Sequence, residues 1–94
     1  MTDLYRSVMS ASAAECGVDV TKCLVSGKLR DVVRARHIAW YILHTHFGWS
    51  PMTISRNAKF FSDITIRYGI GRVGDMPATS SVGDIVERVL SRVH

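Results

Sequence analysis

Residues 22–72 carry nine lysines and arginines against only Asp31 and Asp63, a local charge of +7 in a 94-residue chain whose total is +4. The remaining residues hold three basic and six acidic side chains, so a basic middle lies between acidic ends. Cations clustered this way attract a polyanion and displace its counterions, which is the electrostatic footprint of a nucleic-acid binder. Arg30, Arg34 and Arg36 fall together at the head of an apolar-periodic stretch. There they oppose the helix macrodipole, which favours acids at an N-terminus; a bound anion would supply the missing charge. The class of partner these residues point to is duplex DNA.

Other chemistry is poorly served. Cys16 and Cys23 are seven positions apart with no second pair, which excludes a zinc-finger framework and argues against a disulfide scaffold. Two reduced thiols are expected. His44 and His46 are two apart and point to different faces of a helix, so no metal site is expected. No paired carboxylates or Cys/His dyad stand out, and Ser55 with His46 has no third, orienting group. Gly69-Ile-Gly71-Arg-Val-Gly74 matches the spacing of a dinucleotide fingerprint, but no strand pattern precedes it and no Walker-type loop occurs elsewhere. A non-enzyme without catalytic residues, metal or cofactor is therefore expected. At 47% hydrophobic and 21% charged residues the composition is globular, not disordered. Its apolar runs are too short to span a membrane, and the N-terminus lacks signal-peptide character. A cytoplasmic, nucleoid-associated protein with no membrane partner is expected.

These side chains must be positioned by helices. Thr2 reads as the N-cap of a first helix ending at Cys16, with Leu4, Val8, Ala11 and Ala14 inward and Gly17 as its stop. Asp19 caps a short turn over 20–24. The long helix spans about 29–47, with Val32, Val33, Ala35, Ala39, Ile42 and Leu43 as its stripe, widened by Ile38, Trp40 and Phe47. After Gly48, Ser50 with Pro51 starts a short helix to Ala58. Residues 59–61 turn, and Ser62 caps a fifth helix to Val73, with Ile66, Ile70 and Val73 inward. Gly69 and Gly71 each weaken that helix by roughly 1 kcal/mol against Ala, implying a fraying C-terminal half. Residues 74–80, including Pro77, read as a linker. Ser81 and Asp84 then start a helix whose stripe is Val82, Ile85, Val86, Val89, Leu90 and Val93. The expected organisation is a DNA-binding domain over 1–73, a linker over 74–80 and an amphipathic helix over 81–94.

At Lys28-x-Arg-x-Val-Val-x-Ala-Arg-His-Ile-Ala-x-Tyr-Ile-Leu43 the chain resembles the C-terminal DNA-binding domain of the bacterial replication initiator DnaA. The register runs without gaps from about Leu24 to Val73, roughly half the chain. The fold this resemblance implies is a small all-α domain of five to six helices containing a helix-turn-helix, like the Trp repressor and DnaA domain IV. It further implies that Lys28 enters the minor groove with Arg30 as its basic neighbour; Arg34 joins the candidate contacts by its place at the head of the long helix. Arg36 would grip phosphate, and His37 would stand where the family often has a phosphate-gripping Gln. The short helix begun by Ser50 and Pro51 would set its amides near the backbone, followed by Lys59 in the turn. The family's recognition helix opens with Arg-Asp-His-Ser/Thr-Thr and an aliphatic pair. Here Phe61-Ser62-Asp63-Ile64-Thr65-Ile66-Arg67 stands in its place. Ser62, Asp63 and Ile64 replace the family's base readers, so a different site is expected. Asp63 would accept from cytosine N4, and Ile64 would meet a thymine methyl, with Thr65 and Arg67 alongside.

The expected function is sequence-specific duplex-DNA binding, as a transcriptional regulator or replication-associated factor without a motor of its own. The alternative is a protein-interaction domain on a degenerate DNA-binding scaffold, with a partner or a second copy docking on the helix over 82–93.

Overall fold

The structure is a computed structural model that describes residues 2–76 and 80–93. Among these the chain is all-α, with no strand. The helices are α1 (Asp3–Cys16), α2 (Val20–Cys23), α3 (Arg30–Thr45), α4 (Pro51–Ala58), α5 (Asp63–Gly74) and α6 (Ser81–Val93). Local chemistry accounts for most boundaries. Thr2, Asp19, Ser50 and Ser62 each take extended backbone and accept an amide hydrogen bond from the following turn, satisfying donors that a helix start leaves open. Gly17 closes α1 at φ 72° with its N–H on the Ala13 and Ala14 carbonyls, a conformation glycine adopts without a Cβ penalty. The long helix is shorter than its apolar pattern. Leu29 is its extended N-cap, and the chain leaves the helix at His46 to turn through Gly48 at φ 75°. The short helix α2 likewise stops at Cys23, with Leu24 as its C-cap.

The central element is α3, against which every other helix packs. It buries Val32, Ala35, Ile38, Ala39, Trp40, Ile42 and Leu43, while Phe47 packs at the core's edge and Val33, half-buried, lines a surface groove instead. Of the expected inward stripe of α1, Val8 and Ala11 are buried and Leu4 packs at the core's margin, but Ala14 is exposed; Tyr5, Met9, Ser12 and Ala13 are buried as well, so the inward face is turned towards them. Two polar contacts with α3 accompany that rotation. The Trp40 indole N–H donates to the Tyr5 hydroxyl at 3.2 Å, and the Ser12 hydroxyl donates to the Ala35 carbonyl at 2.7 Å.

The glycines of α5 do not end it. The helix continues through Gly74, and Gly69 is one of its buried residues. A Cβ at Gly69 would lie 2.6 Å from His37 Cδ2 and 2.9 Å from Trp40 Cε3. Gly69 is thus where α5 approaches α3 too closely for any side chain, and this contact takes the place of the fraying expected from helix propensity alone. Since Gly69, Gly71 and Gly74 all lie within one helix with no preceding strand, the dinucleotide spacing has no structural counterpart.

α6 packs within its own chain, on α1 and α3. Val82, Ile85 and Val89 join the core, with Val86, Leu90 and Val93 packed at its margin. Pro77 of the expected linker lies outside the described residues. Arg88 and Arg92 both donate to the Glu15 carboxylate of α1, the first at 2.7 Å. These guanidiniums hold the Glu15 carboxyl below the ordinary carboxylate value of 4.5. A depressed folded value means stability that is fully present above about pH 4.5 and lost as pH falls through the folded value. Thermal melts are therefore expected to lose some midpoint as pH falls below about 4.5, and Glu15→Gln to lessen that loss modestly, since the ion pairs are solvent-exposed. Superimposable pH profiles for the two proteins would remove Glu15 as a contributor.

Candidate nucleic-acid interface

The cations placed to meet a polyanion come from three segments. The loop after α2 exposes Lys28, the first turns of α3 carry Arg30 and Arg34, and α5 carries Arg67 and Arg72. Lys28, Arg30, Arg34 and His37 line one side of a groove of about 410 Å³, and Tyr68 and Arg72 line the other. Leu29 gives α3 no side-chain cap, so its first amides stay open, with Arg30 and Arg34 and the single acid Asp31 beside them. His37 is half-buried at the α3–α5 contact, with its ring 5.8 Å from Trp40 and edge-on to Tyr68 at 6.1 Å. Burial pushes its imidazole pKa down, and Arg72 and Arg36 push it the same way. It is therefore a neutral side chain near pH 7, able to donate or accept one hydrogen bond but not to act as a cation.

Arg36 does not belong to this set. Its side chain is buried at 2% exposure, the reverse of the expected phosphate contact. Nε donates to the Cys23 carbonyl at 3.1 Å, Nη1 to Gly27 at 2.6 Å, and Nη2 to Lys22 at 2.9 Å and also to Val25. The guanidinium lies 4.8 Å from the centre of the Phe61 ring, within the range of a cation–π contact. Helical geometry explains the placement: Arg36 is one turn from Val32 and one turn from Trp40, both buried, so it shares their inward face. The short helix α2 ends with unpaired carbonyls that need donors, and Arg36 supplies them.

The short helix α4 and α5 are joined by residues 59–62. Lys59 is exposed and holds φ at 66°, in the left-handed region that a lysine seldom adopts. The Ser50 and Ser62 hydroxyls are engaged as caps, accepting from Thr53 N at 3.2 Å and Thr65 N at 3.3 Å. On the outer face of α5, Ile64 is 75% exposed, Thr65 is exposed, and Arg67 stands 3.7 Å from the Asp63 carboxylate. That contact, one turn apart on an open surface, is a weak one. Asp63 also sits in the first turn, where an acid complements the helix dipole. It thus has a structural use beside any reading of bases.

Tyr68 and Arg72 are the residues that sequence reasoning left out. Tyr68 is 63% exposed, and both lie one and two turns on from Ile64, on the same face. That four-residue spacing was the available signal; the expectation of a frayed helix concealed it. Arg56 of α4 is also exposed.

Among the described residues no group of three or more His, Cys, Asp or Glu side chains could hold a metal ion, and no helix is long and apolar enough to cross a membrane. Cys16 and Cys23 are free thiols whose pKa values burial pushes up, which lowers their reactivity. The chain matches no family model and no curated protein.

Proposed function

We propose that the protein is a sequence-specific duplex-DNA-binding module, working in transcription or replication without a motor of its own. On this reading α4, the 59–62 turn and α5 act as a helix-turn-helix with α5 in the major groove. Lys28, Arg30 and Arg34 meet the adjoining backbone. The observation that carries it is the convergence of Lys28, Arg30, Arg34 and Arg72 on one groove beside the exposed face of α5. Phosphate contacts position a protein on DNA, and side chains on the inserted helix read it. Ile64, Thr65 and Tyr68 are the exposed side chains of α5 suited to base edges and thymine methyls.

The test is binding of a randomised duplex pool as a function of salt. With Lys28, Arg30, Arg34, Arg67 and Arg72 each neutralising one phosphate, log affinity should fall against log salt with a slope of about −4 to −5. Lys28→Ala or Arg72→Ala should weaken every duplex alike and lessen that slope by about one. Ile64→Ala should instead keep the slope and change preference at one base position, by roughly 1–3 kcal/mol. A slope near zero would reject the reading.

One observation favours a second reading, a protein-interaction domain on a scaffold that no longer reads bases. Met52, Phe60, Ile64 and Tyr68 are large apolar side chains exposed on α4, the turn and α5. An exposed apolar group beside cations also suits a protein partner. Salt-insensitive capture of a protein, with no duplex binding, would establish that reading instead.

A further inference from the structure

The segment that presents Lys28 has little of its own to hold it. Between the C-cap of α2 at Leu24 and the N-cap of α3 at Leu29, residues 25–28 are all exposed. Among the described residues its polar ties to the body of the domain run through Arg36, which takes the carbonyls of Val25 and Gly27 together with those of Lys22 and Cys23. The same guanidinium lies against Phe61, the residue just before the N-cap of α5. One rigid, planar cation in the middle of α3 therefore touches both the segment that presents Lys28 and the turn that leads into α5. Guanidinium is suited to this task. It spreads its donors in a fixed fork and lays its face on an aromatic ring, neither of which an ammonium does.

We propose that Arg36 is a positioning residue for duplex binding. It does not touch the nucleic acid; it holds the 22–28 segment against α3 and the head of α5, so that Lys28 and α5 engage one stretch of duplex together. This role rests on the DNA-binding reading above, but the ordering of the loop does not. Preorganisation of this kind strengthens binding by removing the ordering cost at the moment of association.

The experiment combines Arg36→Lys, Lys28→Ala and the double variant. Arg36→Lys keeps the charge and loses the fork. In the free protein, backbone order parameters of residues 25–28 should fall from about 0.85 to below about 0.6, while those of α1 and α3 stay rigid. Duplex affinity should fall about tenfold, and in the Lys28→Ala background the same change should cause little further loss, since coupled residues are not additive. The salt slope of Arg36→Lys should stay near that of the wild type, because no phosphate contact has been removed. Additive losses, or unchanged loop order, would overturn the role. Should Arg36→Lys fail to fold, Phe61→Leu is read in the same cycle. It retains the four carbonyl bonds and removes the ring, and about a threefold loss coupled to Lys28 is expected. An additive loss there overturns the role equally. If the wild-type protein binds no duplex, the functional reading fails by itself, and the order parameters still judge whether Arg36 holds the loop.

Discussion

Ending the chain at Gly74 is expected to abolish cooperative folding and not to yield a smaller, stable domain. The truncation removes Val82, Ile85 and Val89 from the core, each contributing roughly 1.5–3 kcal/mol when fully buried. It also uncovers the face of α1 on which α6 packs and leaves Glu15 without its two arginine partners. Native domains are stable by roughly 0.05–0.15 kcal/mol per residue, about 5–14 kcal/mol for a chain of this size. Three buried side chains together are therefore comparable with the whole. Far-UV circular dichroism and size exclusion would measure the outcome: a broad, non-cooperative melt with an enlarged or aggregated species is expected. A truncated monomer melting cooperatively within a few degrees of the full chain would show α6 to be an appendage. If the full chain were then a dimer, α6 would be its interface.

Trp40→Ala is expected to be the most damaging single substitution, at about 3–5 kcal/mol. The indole is 1% exposed, lies edge-on to Phe61 at 5.2 Å, and occupies the place where α5 comes closest to α3 at Gly69. Its N–H serves the buried Tyr5 hydroxyl, so truncation leaves a cavity and an unpaired polar group together. A domain of this size shifts its melting midpoint by about 4–8 °C per kcal/mol, which places the variant at least about 12 °C below the wild type. Urea unfolding should show a lower midpoint with an unchanged slope, the mark of lost stability in an intact two-state fold. Trp40→Phe retains the ring contact and loses only the hydrogen bond and part of the volume, so about 1–2 kcal/mol is expected. A loss below 1 kcal/mol for Trp40→Ala would mean that the α1–α3–α5 junction closes around the gap, against the close packing described here.

The all-α class, the six helices and most of their ends were legible in the amino-acid sequence because they depend on neighbours a few residues away. Thr2, Asp19, Ser50 with Pro51, and Ser62 start helices through their own side chains and backbone, and Gly17 stops one through its own φ. The positive cluster was legible too: charge is a property of residue type, and Lys28, Arg30 and Arg34 needed only to be counted. What the sequence could not determine was which element lies opposite which. Arg36 looked like a surface cation by type. The fold turns it inward because Val32 and Trp40 share its face and the open carbonyls after α2 lie above it. Gly69 looked like a weakness by propensity, yet it is the contact that lets α5 approach His37 and Trp40. Tyr68 and Arg72 joined the groove only once that approach set α5 alongside the start of α3. Helix ends are local events, whereas a groove and a buried cation require two elements to meet, and tertiary packing alone decides where they do.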